Sequence, residues 1–171
     1  MDIRKKLDTI MHLDGGKNWW TPELFKIKIQ TLIPPEILIL TVPPAPESNY
    51  NCFIYALGLS EDKDVLLDSK GFIYDTFFQK LLDEKLLSHT KSPKNGDYVL
   101  YRFSKKYPGI ITHIGIKDNN KVVSKWAWGP LMSHSVLDVP ESYGDEISYV
   151  SAITHSRAKE LYMNYRGFNK I

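Results

Sequence analysis

The single cysteine of the chain, Cys52, stands at a position that favours nucleophilic chemistry. Polar residues 48–51 precede it, and the apolar run 53–57 follows and ends at Gly58, which predicts a helix from about Cys52 to Leu57. At the start of a helix, unpaired backbone N–H groups and the positive end of the dipole favour a thiolate. The same N–H groups can donate to an oxyanion on a substrate carbonyl. The competing interpretation is a buried, inert cysteine that behaves as a small hydrophobe.

A nucleophilic thiol needs a base, and His113 is the best placed of the five histidines. It stands at the head of the alternating stretch 112–116, which is typical of a strand. Its alternate neighbours Gly115 and Lys117 are not large apolar residues, so we expect the face that carries His113 to be open rather than core. The alternative is a structural strand histidine with a satisfied hydrogen bond.

Predicted helices come first along the chain and most predicted strands follow, and these elements must position the two residues. The pattern predicts α+β architecture with a central antiparallel sheet. Helical spacing or capping signals mark residues 3–13, 22–32, 52–57, 73–87 and 156–165. Strand patterns mark residues 37–42, 97–103, 110–117, 121–128, 132–136 and 147–153, with 118–120 as a hairpin turn.

Composition and motifs argue against several other classes of protein. The length of 171 residues fits one domain, and a net charge of +2 without a basic stripe gives no support for nucleic-acid binding. One cysteine and scattered histidines argue against a metal site, and no glycine-rich phosphate loop precedes a helix, so we expect no cofactor. The longest apolar run, 37–42, is too short to cross a membrane, and no signal-peptide run follows the N-terminus. We therefore expect a cytoplasmic protein, or one exported by a route that reads no cleavable signal.

The order of three motifs resembles the NlpC-type branch of the papain-like superfamily, which includes cell-wall peptidases and CHAP amidases. These motifs are Asn51-Cys52 at the start of a helix, the segment 93–100 with its Gly96-Asp97 dipeptide, and the segment 112–116. The segments 124–130 and 139–144 look like a less characterised bacterial subgroup. The resemblance implies a papain-like fold, with a lead-in at 1–46, a catalytic core at 47–153 and a C-terminal helix at 154–171.

The resemblance also implies a third polar residue, on the strand after the histidine, that orients the imidazole. Ser124 is the best match, although it departs from the usual His, Asn or Asp of the family and carries no negative charge. His134 is the rival orienter, with a merely structural role as its alternative.

Further residues are candidates for substrate contact. Trp126 and Trp128 share a strand face with Ser124 and either wall a cleft or pack against the helices. Asn51 either caps the helix or aims its amide at the oxyanion, with capping the safer expectation. Tyr50 could offer its hydroxyl to a substrate carbonyl.

These observations predict a cysteine hydrolase that cleaves an amide bond through a Cys52 thioester, with His113 as base. The resemblance implies a peptide substrate, including peptidoglycan stem peptides, and also allows deamidation or acyl transfer on a protein. The lack of a signal peptide suggests a bacterial toxin or effector. The alternatives are a papain-like binding or regulatory module without turnover, and an interaction domain that uses the tryptophan-rich segment.

Overall fold

A six-stranded antiparallel sheet forms the centre of the molecule, in a computed structural model that describes residues 2–19, 21–105, 107 and 109–168. The α+β prediction with an antiparallel sheet is therefore confirmed. Its strands are β1 (Leu38–Thr41), β2 (Tyr98–Arg102), β3 (Ile111–Asp118), β4 (Lys121–Lys125), β5 (Leu131–His134) and β6 (Glu146–Val150). Their order across the sheet is β1-β5-β4-β3-β2-β6.

Six helices surround this sheet in the described part of the chain. They are α1 (Ile3–Met11), α2 (Pro22–Leu24), α3 (Cys52–Ala56), α4 (Lys63–Ser69), α5 (Asp75–Asp83) and α6 (His155–Arg166). The helix predicted over 22–32 begins as α2 and continues as a π-helical turn, Phe25–Ile29, and a 3-10 turn, Gln30–Leu32. The predicted helix over 73–87 is shorter, as α5.

Both faces of the sheet are covered, so the chain has two apolar cores. In β2, Tyr98 and Leu100 pack with α3, α5 and α6 on one face, whereas Val99 and Tyr101 pack with α1 and the π-helical turn on the other. Successive side chains of a strand point to opposite faces, so a strand covered on both sides is buried throughout. Residues 98–101 are accordingly all buried.

The hairpin of β3 and β4 opens towards α3. The two strands pair at Asp118 with Lys121, Lys117 with Val122, and Ile116 with Val123, and the described register between them ends there. Beyond that point β3 continues against β2, and β4 continues against β5. The hairpin is therefore tight at its turn and open at its other end, where α3 packs against both strands.

Among the described residues, no helix combines the length and the apolar character needed to cross a membrane.

Candidate active site

Cys52 is the first residue of α3, and Asn51 fixes the start of that helix. The Oδ1 atom of Asn51 accepts a hydrogen bond from the N–H of Ile54 at 3.2 Å, and its Nδ2 atom donates to the carbonyl of Ile73 at 2.7 Å. Asn51 is only 3% exposed, so these bonds are shielded from water. Of its two expected roles, capping is therefore the one that the structure shows, because the amide is already used by the Ile73 carbonyl.

The sulfur of Cys52 lies where β3 and β4 separate. The backbone N–H groups of Ile114, two residues beyond the last paired residue of β3, and of Cys52 and Phe53 lie near the sulfur and lower its pKa. The N–H groups of a strand lie in the plane of the sheet, so the sulfur occupies the gap that β4 leaves beside β3.

Cys52 and His113 line the same pocket, whose volume is about 340 Å³. Other residues of its wall include Phe72, Thr112, Trp128 and Tyr143. The structure thus brings together the two residues that the sequence predicted as nucleophile and base, from separate elements of the fold.

His113 is 1% exposed and is held by aromatic packing. Its ring is stacked on that of Tyr143, with centroids 3.9 Å apart and planes at 15°, and the ring of Tyr101 lies at 5.4 Å. The hydroxyl of Thr112 bonds the backbone carbonyls of Tyr101, at 2.9 Å, and of Tyr143, which ties the stacked segment to β3. Within the described part of the chain, the Nε2 atom of His113 has no hydrogen-bond partner.

Ser124 and His134 bond to each other rather than to this Nε2 atom. The Oγ atom of Ser124 lies 2.8 Å from Nε2 of His134 and accepts a hydrogen bond from Nε1 of Trp126 at 3.0 Å. The Nδ1 atom of His134 lies 2.8 Å from the carbonyl of Ser135, so that nitrogen carries the proton and the Ser124 hydroxyl donates to Nε2. This corrects the expected role of Ser124, and of its rival His134, as orienter of Nε2 of His113.

The two tryptophans of the segment have different environments. Trp126 is fully buried among the residues of the α1 core, which corrects its expected place in a cleft wall. Trp128 is 38% exposed and lines the pocket, with its ring 6.4 Å from that of Phe72. Together Phe72 and Trp128 give the pocket an aromatic rim.

Tyr50 does not line this pocket. It therefore does not occupy the position expected for contact with a substrate carbonyl. Its ring instead lies below the ammonium of Lys125, with Nζ 4.9 Å from the ring centroid.

Lys125 and Tyr143 are residues of this region that the sequence did not single out. Lys125 is 1% exposed, and its Nζ atom donates to the carbonyl of Gly129. For Lys125, the available signal was a lysine inside the predicted strand 121–128, directly before the apolar residues 126–128. The stacking of Tyr143 on His113 depends on a turn distant in sequence, Glu141–Tyr143, and has no local signal.

Burial sets the protonation of the two central groups. Burial raises the pKa of Cys52 to about 11, against the opposing effect of the three N–H donors and of Lys125. Burial also lowers the pKa of His113 well below its usual value, and the neighbouring His134 lowers it further. At neutral pH the resting protein therefore contains a neutral thiol and a neutral imidazole rather than an ion pair.

No group of three or more His, Cys, Asp or Glu side chains in the described part of the chain is placed to hold a metal ion.

Comparisons with known proteins give no relative. The chain matches no protein-family model, no curated protein and no solved structure at a significant level.

Proposed function

We propose that this protein is a cysteine hydrolase of amide bonds, with a papain-like fold of the NlpC type. The observation that carries the proposal is the shared pocket of Cys52 and His113, which come from a helix start and a sheet strand. A buried thiol and a buried imidazole that open onto one cavity are the minimum set for acyl transfer.

In the proposed reaction, His113 acts as a general base. It accepts the proton of the Cys52 thiol while the sulfur attacks the substrate carbonyl, which gives a tetrahedral oxyanion. Collapse of this species breaks the C–N bond, and His113 returns the proton to the leaving amine. Water then attacks the thioester with the same base, which releases the acid and restores the thiol.

The electrostatics support this route over a preformed ion pair. A thiol with a pKa of about 11 holds its proton at rest, so its activation depends on a base that acts during the attack. The stacked Tyr143 ring holds the imidazole in place, which is the task that a third polar residue performs by hydrogen bonding in the family. General-base assistance of this kind contributes about 10²- to 10⁴-fold in rate.

The pocket supports a peptide substrate. Its wall is formed by the aromatic rings of Phe72 and Trp128 and by Cys52. An apolar group of the substrate can therefore bind beside the scissile amide. The substrate class of the proposal is accordingly a peptide, including peptidoglycan stem peptides.

A second candidate is a papain-like binding module without turnover. Two observations favour it: the raised pKa of Cys52, and the Nε2 atom of His113 that has no partner in the described part of the chain. This module would bind peptides in the same pocket without cleaving them.

Amide hydrolysis separates the two candidates. The protein is incubated with a mixed peptide library and with peptidoglycan stem peptides, and products are identified by mass spectrometry. The hydrolase produces fragments that Cys52→Ala abolishes and His113→Ala reduces at least 100-fold. His89→Ala, at an exposed histidine, is the matched control and leaves the rate unchanged. Peptides that bind without cleavage would contradict the hydrolase and support the module.

A further inference from the structure

Lys125 is a buried lysine that forms no ion pair with the acidic side chains that the structure describes. It is 1% exposed. Among the described residues, its ammonium contacts one carbonyl acceptor, on Gly129, and one ring, that of Tyr50. Removing a charge from water without a partner costs folding free energy, and such groups are retained at functional sites.

The register of the sheet places Lys125 on the face that α3 covers. Val123 pairs with Ile116, which packs on the α3 side of the sheet. Lys125 follows Val123 by two positions, so it points to the same face. His113 lies on the opposite face, because its pair in β2 is Tyr101, a residue of the α1 core. Lys125 and His113 therefore approach the gap that holds the sulfur from its two sides.

Cys52 and Lys125 act on each other electrostatically. The ammonium lowers the pKa of Cys52, and a thiolate at Cys52 raises the pKa of Lys125. The other titratable groups near this pair are Tyr50 below the ammonium, and His113 and Tyr143 on the far side of the sulfur. None of these three is an anion at neutral pH, and the charge of Glu61 acts on Tyr50, so among the described residues the thiolate is the anion whose charge acts on Lys125.

We infer that Lys125 is the charge partner of Cys52, and that its ammonium stabilises the negative charge that develops on the sulfur as the thiol loses its proton to His113. This role rests on the proposed function of Cys52 as nucleophile. The S–H bond breaks, an N–H bond forms on His113, and Lys125 keeps its own proton throughout. Lys125 is thus a positioning residue that places a positive charge near the sulfur, and His113 remains the general base of the proposed reaction.

The pH dependence of thiol alkylation reports on this pair without any substrate. Burial lowers the pKa of Lys125 to about 7. Below that pH the ammonium is present, and the thiolate fraction rises tenfold per pH unit. Above it, loss of the lysine proton offsets further ionisation of the thiol, because two coupled groups share their protons. The rate with iodoacetamide should therefore rise to about pH 7, stay level, and rise again towards pH 11.

Three variants test the assignment. Lys125→Met should lose the plateau and react at least tenfold more slowly at pH 7, and Lys125→Arg should keep the fast reaction and continue to rise above pH 7. Lys121→Met, on the same strand, is the matched control and keeps the native profile. Cys52 is the only cysteine, so the mass of the intact protein measures its alkylation alone.

Folding of the variants is checked by circular dichroism. Lys125→Met should melt no lower than the native protein at pH 6, since it removes a buried charge. A native protein without a plateau near pH 7, or a folded Lys125→Met with native rates at pH 7, would overturn the inference. Either result would leave the outcome of the amide-hydrolysis test of Cys52 and His113 unaffected. Conversely, a failed hydrolysis test would not change the alkylation profile expected for Cys52 and Lys125.

Discussion

Removal of the Asn51 side chain should destabilise the fold by an amount that its contacts set. Asn51→Ala deletes the cap of α3, which costs about 1 kcal/mol, and leaves the Ile73 carbonyl without its donor, which costs about 1–3 kcal/mol. The expected loss in unfolding free energy is therefore about 2–4 kcal/mol. For a chain of this size, each kcal/mol corresponds to roughly 2–4 °C in Tm.

Urea unfolding followed by circular dichroism measures this loss. One further variant separates its two components, and another serves as a control. Asn51→Ser keeps a capping oxygen for the Ile54 N–H but is too short to donate to Ile73, so it should lose only the component from the Ile73 carbonyl. Asn120→Ala, in the exposed turn between β3 and β4, should change stability by less than about 0.5 kcal/mol. A loss below about 1 kcal/mol for Asn51→Ala would refute the view that Asn51 anchors the helix start that carries Cys52.

Three other predictions concern the surroundings of His113. Gly115→Ala brings its new Cβ within 2.5 Å of Val122 Cγ1, so urea unfolding should show a loss of about 1–3 kcal/mol, and native stability would contradict this packing. His113 and His134 have lowered pKa values in the folded protein, so below pH 6.5 the unfolded chain binds more protons than the folded one. The unfolding free energy should therefore fall there by up to about 1.4 kcal/mol per pH unit for each histidine. For His134 this fall should continue down to about pH 4. Unfolding free energies that stay constant from pH 6.5 to 5 would exclude this linkage. Tyr143→Ala removes the ring stacked on His113 and should cost about 3–5 kcal/mol by the same urea assay, whereas Tyr143→Phe keeps the ring; equal losses in both would rule out the stacking as the cause.

Local sequence patterns predicted the elements that carry the candidate site. The polar residues before Cys52 and the apolar run after it indicate the start of α3, and the observed Asn51 cap is the physical reason that this signal is reliable. Alternation predicted β3 and β4, and the hairpin turn between them is the one observed. Helix α4 escaped prediction although Asp62 caps it through the N–H of Val65, because the segment has a weak apolar pattern.

The surroundings of the imidazole could not be read from local patterns. The resemblance implied that Ser124 orients the imidazole of His113. The two residues do lie on the same face of the sheet, since a Cβ built at Gly115 would lie 3.0 Å from the Ser124 Cβ. The Oγ atom of Ser124 nevertheless bonds His134, because β5 lies beside β4 and supplies a nearer nitrogen. Partners such as this one, and the Tyr143 ring, follow from strand order and from a distant turn, which a single strand pattern does not contain.

Acylation of Cys52 by p-nitrophenyl acetate tests the central pairing of thiol and imidazole most directly, because it requires no knowledge of the natural substrate. Release of p-nitrophenolate is followed together with the mass of the intact protein. We expect one acetyl group on Cys52, formed at least 100-fold more slowly in His113→Ala and at the native rate in His89→Ala. Acetylation at the native rate in His113→Ala, or an acetyl group on another residue, would contradict the account.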